Sequence, residues 1–140
     1  MKIRNGSYKL SDKRFWEKIK KDFGEGGGTY ELYCMLPKTE IVPVQRMLKT
    51  DESGTLYIGR ATSFLDRVIA LKKSISPDHI SSNHECGVRY KDSKTLQEKF
   101  PYEYLYIELH GTDKGMELER EKLKSYVREF GELPPLNRMS

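Results

Sequence analysis

Cysteine, histidine and tryptophan are scarce in this chain, with 2, 3 and 1 copies among 140 residues. Cys34 and Cys86 lack metal-ligand spacing, so a cysteine-based zinc site is excluded. Two free thiols in a reducing compartment are expected, although a bridge between them is compatible with the sequence, and neither is given a function. His79 and His84 stand five apart without an accompanying cluster and are not read as a metal pair. Long apolar runs are absent too. No stretch can span a membrane and no secretory signal stands at Met1, so a single soluble, cytoplasmic domain with one core is expected. Nor does one sign of charge prevail: 25 Lys and Arg against 21 Asp and Glu leave a formal charge of +4, which permits an anionic partner without requiring one. The glycine run at 24–28 is not followed by Lys-Ser or Lys-Thr, which excludes a P-loop, and its spacing is not the dinucleotide fingerprint. A linker is expected there.

What the chain does have is one polar strand-to-helix turn, Leu-Tyr-Ile-Gly-Arg-Ala-Thr-Ser-Phe-Leu-Asp-Arg at 56–67. Leu56, Tyr57 and Ile58 are β-formers, Gly59 ends the strand, and Thr62 or Ser63 can cap a helix whose first turn carries Asp66. Arg67 borders the apolar stripe of Phe64, Leu65, Val68, Ile69, Leu71 and Ile75, which aims it at the sheet. A phenol, the two guanidinium groups of Arg60 and Arg67, and a glycine permitting close backbone approach suit a phosphate group. Lys72 and Lys73 extend the basic run, and His84 and Arg89 in the polar stretch 74–90 complete the candidate phosphate contacts.

Around this turn, Phe15, Trp16, Ile19 and Phe23 recur at helical spacing after Ser11 and predict a docking helix with a basic outer face. The first ten residues read as a tail or an edge strand. Residues 29–36 alternate as a strand, with Tyr30, Leu32, Cys34 and Leu36 on one face and Glu31, Tyr33 and Met35 on the other. Residues 40–48 read as an edge strand or short helix, and 51–54 as a turn that makes the strands of Tyr33 and Tyr57 antiparallel partners. A long loop over 74–90, a short helix over 93–100 and an alternating strand over 102–109 follow. Its tyrosines, at 102, 104 and 106, fit the half-exposed face of a sheet better than a base-stacking row. The last helix, over 112–130, has an apolar stripe of Met116, Leu123, Tyr126, Val127 and Phe130. Of its glutamates, only Glu119 lies on the core side, where a carboxylate needs an ion pair or a bound cation.

Tyr57-Ile58-Gly59 followed ten residues after the tyrosine by Arg67 resembles the second half of the signature of the GIY-YIG nuclease superfamily. Glu31-Leu32-Tyr33 stands where that family carries Gly-Ile-Tyr, with the glycine absent, and Tyr33 matches the first tyrosine, Tyr30 being the alternative. The gap from Tyr33 to Tyr57 is about twice the family's usual spacing, which makes 37–51 an insertion or elongated hairpin. Leu71 occupies the position one turn after the arginine where some members carry a proton-handling group. Pro134-Pro135-Leu136-Asn137 is similar to the family's terminal segment, whose asparagine steadies the site.

The resemblance implies an α+β fold with a small, three-stranded, mainly antiparallel sheet flanked by helices, residues 29–140 forming the nuclease domain and 1–28 a helical extension. It implies hydrolysis of DNA phosphodiester bonds with Tyr33, Tyr57, Arg67, Glu119 and Asn137 as the catalytic set. Glu119, or Glu121 in its place, would bind Mg²⁺ or Mn²⁺, while Gly59, Arg60, Lys72, Lys73, His84 and Arg89 would meet the phosphates. No membrane partner is expected, and a homodimer is left open. The competing expectations are a catalytically inactive nucleic-acid-binding or adaptor module on the same fold, and an unrelated α+β protein.

Overall fold

A computed structural model describes residue 4 and residues 7–77 and 85–137. In chain order the elements are β1 (Ser7–Lys9), α1 (Phe15–Phe23), β2 (Gly28–Leu36), β3 (Glu40–Ile41), β4 (Val44–Gln45), β5 (Thr50–Asp51), β6 (Thr55–Ala61), α2 (Phe64–Ile75), α3 (Glu85–Lys91), α4 (Lys94–Lys99), a single 3₁₀ turn at Tyr102–Tyr104, β7 (Leu105–Gly111) and α5 (Gly115–Phe130). The class is α+β with an antiparallel sheet, and no helix among the described residues is long and apolar enough to cross a membrane.

β2 is the centre. It pairs antiparallel with β7 along one edge and with β6 along the other, β3 extends the second edge at Met35 and Leu36, and β1 closes the far side on β7. The expected pairing of the two tyrosine strands is present, with a register shift between Leu32 and Tyr33. The sheet exceeds the expected three strands because residues 7–9 supply an edge and 40–41 a short addition. The rest of 37–51 forms the small β4/β5 hairpin, anchored where Leu48 N–H donates to the Phe130 carbonyl (3.0 Å).

Alternation along the strands sorts the side chains into two layers. Tyr30, Leu32, Cys34, Leu105, Ile107 and Leu109 pack with Phe15 and Ile19 of α1, Phe64, Val68, Leu71 and Ile75 of α2, and Cys86 and Tyr90 of α3. Each such fully buried side chain contributes roughly 1.5–3 kcal/mol. On the other face α5 covers a smaller cluster of Ile58, Tyr126 and Phe130. Its predicted stripe is narrower than periodicity suggests, since Met116 (54%) and Val127 (39%) are exposed. In α1, Trp16 is likewise exposed (43%) while Phe15 and Ile19 are buried.

Two stretches expected to be irregular hold defined structure among their described residues. The segment at 74–90 contains α3, packed so closely on α2 that a Cβ at Gly87 would come within 2.0 Å of Ser74 Oγ. The glycine run joins α1 to β2 as a linker and is also fastened to its neighbours: Phe64 N–H donates to the Gly26 carbonyl and Thr112 N–H to the Gly27 carbonyl, both at 3.0 Å. The strand expected from residue 102 begins at Leu105, after the 3₁₀ turn. Cys34 and Cys86 are both buried and are not joined in a disulfide.

Candidate functional site

An open groove of about 1460 Å³ lies over the end of the sheet where β6 and β7 finish and β2 begins, between the first turns of α2 and α5. Tyr57 and Arg60 reach it from β6, Arg67 from α2 and Glu119 from α5. These four residues share one concave surface, to which Glu119 comes from far along the chain. Gly26, Gly27 and Thr112 complete the wall, and Asp66 and Asp113 add carboxylates to the lining.

Arg67 is exposed and Tyr57 half-buried. Beneath Tyr57 lies the fully buried Tyr30, ring centroids 6.0 Å apart. Burial pushes the Tyr57 hydroxyl up to about 12, with the buried Cys86 thiol adding to the shift and Arg67 opposing it. Tyr30 is likewise held well above its ordinary value, burial again leading, with Tyr57 adding to the shift and Arg67 opposing it. Cations beside Tyr57 were expected to favour its phenolate; in the chain alone, burial outweighs them. Glu119 is pushed up by burial, and Arg60 and then Arg67 offset this only in part. Its Oε1 lies 3.6 Å from Arg60 Nε, so the ion pair involves Arg60 and neither Arg67 nor Arg120. Glu121 is exposed and lines a separate depression, away from this groove.

Tyr33 is not part of the groove. It sits an odd number of residues from Tyr30, so the pleat turns it to the opposite face, where its hydroxyl donates to Ser7 Oγ, its ring stacks on Tyr106 at 5.8 Å and the Arg4 guanidinium lies 4.4 Å from its centroid. Tyr30, the alternative, is on the face that Leu32 and the core share, where it packs against Tyr57 but is fully buried and outside the groove lining. Gly59 also has a different reason from the one expected. A Cβ there would lie 2.5 Å from Tyr30 Cζ and 2.7 Å from Tyr57 Cε2, so its empty side chain accommodates two rings and not a phosphate.

Three basic residues expected at phosphates are placed otherwise. Lys72 donates to the Asp12 carbonyl at 3.0 Å and covers the Phe15 ring at 4.6 Å, fastening α1 to α2. Lys73 is exposed but outside the groove lining. Arg89 donates from α3 to the main-chain carbonyl of Asn137. His84 and His79 lie outside the described residues.

Asn137 works on the backbone. Its Oδ1 accepts from Ile58 N–H and its Nδ2 donates to the Ile58 carbonyl, both at 2.9 Å, while Leu136 N–H donates to the Leu56 carbonyl at 2.9 Å. The C-terminal segment thus closes the free edge of β6 on either side of Tyr57.

No protein-family model, curated protein or solved structure matches the chain.

On the face opposite the main core, Glu31, Glu108 and His110 bring ligand-type atoms within 4.8 Å of one another, a donor set that could hold a metal. The carboxylates already have partners. Arg4 Nη2 lies 2.8 Å from Glu31 Oε1 and 3.0 Å from Glu108 Oε2, and Lys122 Nζ lies 2.8 Å from Glu31 Oε2. Their two cations balance the two carboxylates, so we read the cluster as a fastening of α5 and Arg4 to the sheet. His110 Nε2, 3.3 Å from Glu108 Oε2, is not aligned as a hydrogen bond, so charge proximity is what connects them.

Proposed function

We propose that the protein is a metal-dependent endonuclease that hydrolyses DNA phosphodiester bonds in the groove between α2 and α5. The observation that carries the reading is the convergence of Tyr57, Arg67 and Glu119, singled out by their order and spacing in the chain, on one open surface. A half-buried carboxylate facing that surface, with its charge only partly compensated, suits a hard cation that takes oxygen ligands and keeps most of its waters. Glu119 would hold Mg²⁺ or Mn²⁺, which supplies Lewis-acid stabilisation of the leaving oxygen. Arg67, exposed on α2, meets the charge that develops on the phosphoryl oxygens. Tyr57 positions the attacking water through its hydroxyl and accepts its proton when ionised. Asn137 and Gly59 act through the backbone and packing that place Tyr57.

The test is cleavage of supercoiled plasmid with Mg²⁺ by the wild type, Glu119→Ala and Arg67→Ala, each of confirmed fold. Nicking or linearisation is expected from the wild type, with a loss of about 100-fold or more in both variants.

A second reading is favoured by the protonated Tyr57 and the Glu119–Arg60 pair: a nucleic-acid-binding module without the catalytic step. Retarded but uncut DNA would select it.

A further inference from the structure

We infer that Arg60 is the exchangeable counter-ion of Glu119, occupying the carboxylate until a divalent cation displaces it and turns the guanidinium free into the groove. This deepens the proposed metal role of Glu119 and rests on it.

Two of the arginines paired with glutamate differ sharply in how they are held, and the contrast between Arg4 and Arg60 carries the argument. Arg4 is fixed: its side chain is 7% exposed, and Nη2 touches two carboxylates at 2.8 and 3.0 Å. Arg60 is loose. Its side chain is 45% exposed, Glu119 is 25% exposed, and the approach is a single Nε contact at 3.6 Å, longer than a hydrogen bond. A pair of that kind shifts an equilibrium by only about two- to fivefold. Glu119 is half-buried in the groove wall, and among the described residues this long contact is the ion pair its carboxylate makes, so its charge is poorly matched there.

Position supports exchange. Arg60 is the penultimate residue of β6 and exposed, so its side chain can swing without disturbing the sheet. Glu119 is held in the second turn of α5, which is tied to the sheet through Lys122 and Glu31. The carboxylate stays and the guanidinium moves. A cation on Glu119 therefore adds its own charge and also releases that of Arg60, so cation and phosphate binding reinforce one another with reciprocal coupling.

The experiment is a Mn²⁺ titration of the DNA-free protein, followed by loss of the free-Mn²⁺ paramagnetic resonance signal. It compares the wild type with Arg60→Gln, Glu119→Gln and Arg120→Gln, all with unchanged circular dichroism. Arg120, exposed and adjacent to Glu119 on α5, controls for the loss of one positive charge. Arg60→Gln is expected to bind Mn²⁺ about two- to fivefold more tightly than the wild type. Arg120→Gln should gain less than that, and Glu119→Gln should lose saturable binding. If Glu119→Gln loses binding while Arg60→Gln gains no more than Arg120→Gln, the counter-ion role is overturned and the metal role of Glu119 stands. Should no variant bind, Arg60→Gln included, both are overturned.

Discussion

With its hydroxyl pushed up to about 12 by burial, Tyr57 is protonated through the neutral and mildly alkaline range. Any step that needs its phenolate must therefore accelerate about tenfold per pH unit through the neutral and mildly alkaline range. A plasmid-cleavage profile from pH 6 to 9 is expected to show this slope in the wild type and a flat, lower line in Tyr57→Phe, down by roughly 100-fold or more. Tyr33→Phe makes the contrasting case. It removes the hydrogen bond to Ser7 and should cost about 1 kcal/mol in urea unfolding while leaving cleavage within a few-fold of the wild type. Spacing alone did not separate the two tyrosines, since a motif read along the chain ignores which side of the pleat a residue takes. Parity did separate them. Tyr30 and Leu32 share the core face with Tyr57, and Tyr33 does not.

At the scale of the elements, the site depends on how β6 is held. One edge of that strand is paired with β2, and the other is closed by the side chain of Asn137 on both backbone groups of Ile58. Asn137→Ala leaves a donor and an acceptor without those partners and should lower unfolding stability by about 1–3 kcal/mol, with a parallel fall in cleavage because the neighbouring residue is Tyr57. Gly59→Ala tests the same strand from inside. Its new Cβ would press on Tyr30 and Tyr57 and should cost about 1–3 kcal/mol by overpacking, with activity lost even where the fold survives. The strand, the helix and the terminal Pro-Pro-Leu-Asn segment were legible because local propensity and order encode them. What the asparagine bonds to was not, since that depends on two segments 79 residues apart meeting. Helix α3 was missed for a related reason: its buried residues, Cys86, Gly87 and Tyr90, make too short an apolar pattern to stand out, and the close approach of Gly87 to Ser74 shows only in three dimensions.

The whole molecule is pinned by charge as well as by its core, and composition could not reveal it, because a net charge of +4 says nothing about where opposite signs meet. Arg4, Glu31, Glu108, His110 and Lys122 join the N-terminal segment, the two central strands and α5. Burial alone would raise the Glu31 carboxyl, but His110, Arg4 and Lys122 together hold it well below its ordinary 4.5. Glu108 and then Glu31 push the His110 imidazole up from 6.5 to about 9, against the effect of burial. The two shifts act on stability in opposite directions of pH. The Glu31 contribution is present above 4.5 and is lost as pH falls below it, toward the depressed folded value. The His110 contribution is complete below 6.5 and is lost as pH rises through about 9. Both operate in full only between about 4.5 and 6.5, so the thermal midpoint should peak there and decline on either side. His110→Gln should flatten the alkaline decline between pH 6.5 and 9 and spare the acid one. Glu31→Gln should lower the midpoint at neutral pH, because Arg4 and Lys122 lose a shared partner, and should reduce the acid decline. An alkaline decline of undiminished size in His110→Gln would move its origin away from this cluster. A steeper one would mean that the imidazolium, crowded by Arg4 and Lys122, repels more than its carboxylates attract.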